Sequence, residues 1–237
     1  MVPHPDFESQ RERMIRDQLL ARDITDPRVI EAMRRVPRHR FVPAHLQQMA
    51  YEDGPLPIAQ DQTISQPYIV ALMTQMLELK ATDVVLEIGT GSGYQAAILC
   101  EIAQTVFSLE RHPELAETAH QLLDELGYDN IEIYIGDGSQ GLPDMAPFDA
   151  ILVTAAAPAI PGPLRAQLNP LGGRLVLPIG DQHQQFLQRV RRSGDTWHVE
   201  HLIPVMFVPL YGRHGFKAPD EPDVADEDQN EVPPAEP

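Results

Sequence analysis

A single cysteine, Cys100, occurs in 237 residues. One thiol cannot close an internal disulfide, which excludes the small disulfide-stapled folds and makes a reducing compartment the expected setting. Long apolar runs are missing too. No stretch approaches the roughly 18 continuous apolar residues of a membrane helix, so no membrane association is expected. The opening Met1-Val2-Pro3-His4-Pro5-Asp6 has neither a basic leader nor an apolar stretch. No secretory signal is therefore expected, and the cytoplasm is the expected location. Positive charge is scarce, with 18 Lys and Arg against 35 Asp and Glu for a formal net charge of −17. A field of that sign repels phosphate backbones and argues against a nucleic-acid partner. The nine histidines include no His-x-x-x-His pair near carboxylates, so no metal site is expected.

What is present suits a folded domain. Hydrophobic residues make up 43% of the chain, enough for a sizeable core at this length. The negative charge is uneven. Residues 217–237 hold eight acids against one lysine, and with their prolines and polar residues they have almost nothing to bury. This tail is expected to be disordered.

Periodicity divides the rest. Met14, Ile15 and Leu19 share a helical face. Asp26-Pro27 reads as an N-cap followed by a first-turn proline, and Val29, Ile30, Met33 and Val36 then keep the 3.6 period until Pro37. Residues 51–65 are rich in turn-formers and read as a surface loop. A helix is predicted over 67–79. From 83 onward short apolar runs alternate with helical segments: strands over 83–88, 105–109, 131–135, 148–153 and 174–177, with helices over 94–103 and 114–126, the last closed by Gly127. Two late strands, 186–191 and 199–208, flank the turn Ser193-Gly194-Asp195 and predict an antiparallel edge hairpin. The expected fold is α/β, a doubly wound, Rossmann-like, mostly parallel sheet with that hairpin at its edge. Three parts are expected: a helical cap with an active-site loop over 1–80, a cofactor-binding domain over 81–216, and the tail.

The strand Val84-Val85-Leu86 runs into Glu87-Ile88-Gly89-Thr90-Gly91-Ser92-Gly93. Glycines there allow a tight turn and close approach of backbone to a ligand. The spacing is G-x-G-x-G rather than the G-x-G-x-x-G of dinucleotide enzymes. With Glu87 beside it, the loop suits an ammonium better than phosphate oxygens. Glu110 ends the next strand, where a carboxylate reaches ribose hydroxyls. Asp137, in Gly136-Asp137-Gly138, ends the third and offers an acceptor to an adenine amino group. Three such features at consecutive strand ends predict S-adenosylmethionine, the class I methyltransferase cofactor. A nicotinamide dinucleotide is the alternative that Glu110 leaves open.

Before the sheet stands Asp53-Gly54-Pro55-Leu56-Pro57-Ile58-Ala59-Gln60-Asp61-Gln62-Thr63-Ile64-Ser65-Gln66-Pro67-Tyr68. This block, together with Met14-Ile15-Arg16-Asp17-Gln18-Leu19, Val36-Pro37-Arg38-His39-Arg40-Phe41-Val42-Pro43, the glycine loop, Thr154-Ala155-Ala156-Ala157-Pro158 and Phe207-Val208-Pro209-Leu210, closely resembles the protein-L-isoaspartate O-methyltransferase family. The resemblance spans residues 7–216, and Thr63-Ile64-Ser65-Gln66-Pro67 is its most specific part. It implies methyl transfer from S-adenosylmethionine, leaving S-adenosylhomocysteine, to the free α-carboxylate of L-isoaspartyl residues in damaged proteins. The ester then collapses to a succinimide, which begins repair. It also implies that Ser65 is the active-site residue and that Gln62, Thr63 and Ile64 cover the cofactor. Gly89, Gly91, Gly93 and Gly138 hold that cofactor, and Val205, Phe207 and Val208 lie near the substrate peptide. Isoaspartyl proteins and peptides are the implied partners, with a monomer expected.

Other readings stay open at this point. Ser65 also stands where a helix N-cap belongs. A methyltransferase for another carboxylate or a small acceptor would share the sheet, and a non-catalytic isoaspartyl-binding module would share the recognition residues. Thr154-Ala155-Ala156-Ala157-Pro158 lacks the amide or carboxylate with which nucleic-acid amino methyltransferases grip a base. Two places depart from the family pattern: Ala59-Gln60-Asp61 replaces a glycine-containing turn, and Tyr211-Gly212 stands where a small hydroxyl residue is common. Cys100 and Trp197 read as packing, His198 and His201 as strand or surface residues, and Arg189, Arg191 and Arg192 as a solvated strand face.

Overall fold

A computed structural model describes residues 6–218. The expectation for the acidic tail therefore falls almost wholly outside the described residues. Helix α1 (Phe7–Met14) continues into wider π-helical turns over Ile15–Leu20. Helix α2 (Pro27–Arg35) starts as its sequence predicts, with the Asp26 carboxylate accepting from Arg28 N at 2.9 Å and Pro27 at the first position. Two short 3-10 turns, Arg38–Phe41 and Ala44–Met49, lead to a small hairpin of β1 (Leu56–Pro57) and β2 (Thr63–Ile64). Helix α3 (Pro67–Met76) closes the N-terminal part.

The remainder alternates: β3 (Val84–Ile88), α4 (Tyr94–Cys100), β4 (Thr105–Glu110), α5 (Pro113–Glu125), β5 (Ile131–Ile135), β6 (Ala150–Val153), α6 (Gly162–Ala166), then β7 (Arg174–Gly180), β8 (Gln185–Ser193) and β9 (Thr196–Val205). The seven-stranded sheet has the order β5-β4-β3-β6-β7-β8-β9. Strands β5 to β7 run parallel, and β7-β8-β9 form an antiparallel meander. Strand order reverses at β3, and in open α/β sheets ligands sit outside the strand ends at such a point.

Two expectations need amendment. Residues 51–65 are not wholly a surface loop: Leu56 and Ile64 are buried, and their alternation with Pro57 and Thr63 makes the β1–β2 pairing. The expected antiparallel edge hairpin is present as β8 and β9, and β8 also pairs antiparallel with β7. The Asp181 carboxylate accepts from His183 N and Gln184 N, which closes a tight turn that lets β8 fold straight back on β7. Of the arginines expected on a solvated face, Arg189 is turned inward at 12% exposure, whereas Arg191 stays 39% exposed. Arg189 pairs with Glu200 and Glu78, Arg191 pairs with Glu78, and Arg192 stacks with Arg165 on the Trp197 ring.

The core spans the cap and the sheet. Met14, Leu19, Met33, Val70 and Met73 share one buried cluster with Val85, Val106, Leu152 and Val176 on one sheet face. Leu86, Ile88, Ile151, Val153 and Leu175 fill a second cluster on the other face, under α6. Arg174 of β7 forms a buried ion pair with Asp83, and its Nε donates to Leu77 O at 2.6 Å, which ties the sheet to the cap.

Candidate active site

The cleft is built at the carboxyl ends of β3, β4 and β6. Gly89 follows β3 with φ +93°, and a Cβ there would stand 2.3 Å from Thr154 Oγ1. Thr154 Oγ1 hydrogen-bonds to Gly89 O at 2.7 Å and to Ile88 O at 3.0 Å. The tip of β6 thus braces the loop from beneath. Gly91 N donates to Glu110 Oε2 at 2.9 Å, and Glu110 Oε1 accepts from Arg111 N and His112 N at 2.8 and 3.0 Å. Glu110 lies on the cleft wall with Gly89, Thr90, Gly91 and Ser92.

Gly93 does something else. Its φ is +86°, and a Cβ there would press on Ala119 at 3.2 Å and Leu123 at 3.4 Å of α5. It is absent from the cleft wall, where a cofactor contact was expected, and packs between α4 and α5.

Two carboxylates expected at the ligand are also turned elsewhere. Glu87 is fully buried and off the cleft wall, against the expectation that it faces an ammonium. Alternation along β3 sends its side chain into the sheet face opposite Leu86 and Ile88. There Ser108 Oγ donates to Glu87 Oε2, Ser108 Oγ meets Thr90 Oγ1 at 2.6 Å, and Glu87 Oε1 has no hydrogen-bond partner among the described residues. Burial pushes its carboxyl up to about 8. Asp137 is the second. Its Oδ1 accepts from Ser139 N and Ser139 Oγ, and its Oδ2 accepts from Gln140 Nε2 and Arg213 N. These bonds hold its carboxyl below the usual range against the opposing effect of burial. Asp137 caps a turn and fastens the 211–216 segment, while its neighbour Gly138 lies on the wall. A Cβ on Gly138 would meet Ile88 Cγ2 at 2.4 Å.

Gln62, Thr63, Ile64 and Ser65 all line the cleft's other side. The N-cap of α3 is Gln66, without a side-chain capping bond, so the capping reading of Ser65 is not met. Among the described residues no hydrogen bond occupies the Ser65 hydroxyl. Beneath it lies Arg38, fully buried, with Nη2 donating to Ser65 O at 2.7 Å and Nε to Ala50 O at 2.7 Å. Its guanidinium sits 4.8 Å from the Tyr94 ring centroid, and burial draws it down to about 10.

The third wall is the 204–211 segment, with Val205, Phe207 and Val208. Buried Gln185 grips it, accepting from Phe207 N at 2.7 Å and donating to Phe207 O at 3.2 Å. Ala156 N and O pair with Val208 O and Leu210 N at 2.8 and 2.7 Å. Tyr211 completes the wall beneath the Arg111 guanidinium, 5.1 Å from its ring centroid. The cleft volume is about 770 Å³, within the range of about 300–1,000 Å³ for ligand sites.

Sequence reasoning assigned no role to Arg38, Thr154 or Gln185. Their signals were faint: an arginine after Val36-Pro37, a threonine at a strand end, and a glutamine within a strand. Among the described residues no helix is long and apolar enough to cross a membrane, and no group of three or more His, Cys, Asp or Glu is placed to hold a metal.

The family profile for protein-L-isoaspartate(D-aspartate) O-methyltransferase matches residues 9–215. The chain is 55% identical over 211 residues to a protein-L-isoaspartate O-methyltransferase of Roseiflexus castenholzii, covering 89% of this chain and 96% of that one. It is 56% identical to a second such protein, of Pelobacter propionicus, over 88% and 93% of the two chains. A solved protein-L-isoaspartate O-methyltransferase superimposes with a TM-score of 0.76 at 27% identity, covering 86% of this chain and 67% of that one. One from Plasmodium falciparum, in complex with S-adenosyl-L-homocysteine, gives 0.73 at 25% identity over 88% and 99%.

Proposed function

Since the chain belongs to the protein-L-isoaspartate(D-aspartate) O-methyltransferase family, we propose that Ser65 and the Val205, Phe207 and Val208 wall form the acceptor end of its cleft. The chain is an S-adenosylmethionine-dependent enzyme that methylates the free α-carboxylate of L-isoaspartyl residues in damaged proteins and so starts their repair.

The wall residues fit the donor. A glycine loop without Cβ atoms, a carboxylate at the next strand tip and Gly138 at the third border one continuous space. Gly89, Gly91, Glu110 and Gly138 would hold the donor from the strand side, and Gln62, Thr63 and Ile64 from the hairpin side. When bound, S-adenosylmethionine supplies a methyl group on a positively charged sulfur.

The chain's own task is orientation. A carboxylate acceptor is ionised near neutral pH, its reference pKa being about 4, so no general base is needed. Ser65 donates one hydrogen bond to a carboxylate oxygen and aims its partner oxygen at the methyl without neutralising it. Holding both partners in line removes much of the entropic barrier. Charge is lost as the neutral ester forms, and the hairpin and the 204–211 wall favour the step by keeping water out. The free Ser65 hydroxyl on the cleft wall carries this reading.

Matched peptides with L-isoaspartate or L-aspartate, offered with labelled donor, test it by base-labile methyl ester. Label is expected in the isoaspartyl peptide alone. Ser65→Ala is expected to lower kcat about 10- to 100-fold, the worth of one hydrogen bond to a charged group, with S-adenosylhomocysteine affinity unchanged. Equal losses in both would sink the assignment of Ser65. Binding of the peptide without ester formation would favour the module reading.

Three finer statements belong to the same proposal. Residues 1–80 serve as a cap bearing the acceptor loop, and 81–216 as the donor-binding domain. The enzyme works as a monomer in the cytoplasm. Its partners are isoaspartyl proteins, not nucleic acid or membranes, a reading supported by the −17 net charge.

A further inference from the structure

Arg38 is a fully buried cation with no carboxylate paired to it among the described residues. Removing a guanidinium from water is costly unless every donor finds a partner. Here Nη1 has none. The group is spent on two backbone carbonyls, Ala50 O and Ser65 O, each at 2.7 Å, and on the face of Tyr94. Those carbonyls lie 15 residues apart in the chain and bracket the whole segment that carries the β1–β2 hairpin. Ser65 itself is in neither β2 nor α3, so no ladder or helix bond fixes its peptide plane. With Ile64 held in β2, fixing that plane restricts the φ and ψ of Ser65 and with them the direction of its Cα–Cβ bond.

We propose that Arg38 is a positioning residue for the acceptor end of the cleft: by clamping Ser65 O to Ala50 O, it holds the Ser65 hydroxyl on the cleft wall. The proposal rests on Ser65 as the group that meets the acceptor carboxylate. Arg38 acts through Ser65 and touches neither substrate nor donor. It lies off the cleft wall, whereas Ser65, Gln66 and Tyr94 around it lie on it. Two converging N–H groups on one planar fork are needed, a geometry that a lysine ammonium reproduces in part only.

A double-mutant cycle tests this with Arg38→Met, Ser65→Ala and the pair, read as kcat and KM on an isoaspartyl peptide. Calorimetric affinity for S-adenosylhomocysteine is measured alongside. Arg38→Met alone is expected to lower kcat about 10-fold, and no more than about twofold when Ser65 is already alanine, because coupled residues are non-additive. Donor-product affinity should hold within about threefold. Arg38→Lys should recover part of kcat, and it replaces Arg38→Met in the cycle if the methionine variant does not fold. Equal Arg38→Met losses in both backgrounds, or a parallel fall in donor-product affinity, would overturn the inference. An undiminished Ser65→Ala enzyme would instead defeat the reading of Ser65 before Arg38 is touched, so the two failures are distinct.

Discussion

Glu87 shows how one side chain can lie a layer away from its expected place. Its position in the sequence, just ahead of the glycine loop, points to a ligand, but strand alternation turns it into the core beside Ser108. Burial raises its carboxyl from the ordinary 4.5 to about 8. Between those values the folded chain binds a proton that the unfolded chain releases. The contribution of Glu87 to stability is therefore full below about pH 4.5 and declines as pH rises toward 8, by about 1.4 kcal/mol per pH unit at most. Glutamine imitates the neutral acid. Glu87→Gln is expected to gain in urea midpoint over the parent as pH rises from 5 to 8, with little difference at pH 5. A gap that stays constant with pH would mean that Glu87 is ionised in the folded state.

At the scale of elements, glycines that look alike in sequence perform separate tasks. Gly89 meets Thr154 on the strand side, and Gly93 meets Ala119 and Leu123 between two helices. Both have positive φ, so alanine is strained at each by about 1–2 kcal/mol. Gly89→Ala is expected to weaken S-adenosylhomocysteine binding at least tenfold, whereas Gly93→Ala should chiefly lower the melting temperature. Calorimetry and thermal melts of the two variants decide it, and matching losses of affinity would refute the division. The G-x-G-x-G pattern announced a ligand loop plainly, as the 2.0 and 3.6 periods announced strands and helices. Strand β5 and the Asp26 cap came out as the sequence predicts. What a linear pattern could not reveal was direction: whether Asp137 faces a ligand or Arg213, or whether Arg38 reaches Ser65 across 27 positions. The β1–β2 hairpin was hidden for a related reason. Two-residue strands carry too little alternation to register, and proline at Pro55 and Pro57 argues for a loop.

For the molecule as a whole, cap and sheet share one buried cluster, and Arg174 of β7 donates to Leu77 O of the cap. Residues 6–218 should therefore unfold in a single step. Calorimetric and van't Hoff enthalpies are expected to agree, with coincident far- and near-ultraviolet transitions. Arg174→Leu leaves the Asp83 carboxylate buried without its partner and should cost about 3–5 kcal/mol, lowering that one transition without splitting it. Two resolved transitions in the parent would show that the cap melts on its own. Helix α3 gives this unity a mechanical meaning. Its ten residues start beside Ser65, and just past its other end Leu77 and Glu78 are tied to arginines of β7 and β8. It is a strut of fixed length, near 15 Å at about 1.5 Å per residue. One residue inserted in it would lift the hydroxyl by that increment and swing it by about 100°. The spacing from Ser65 to the ionic foot is thus a gauge that any insertion or deletion within α3 would break.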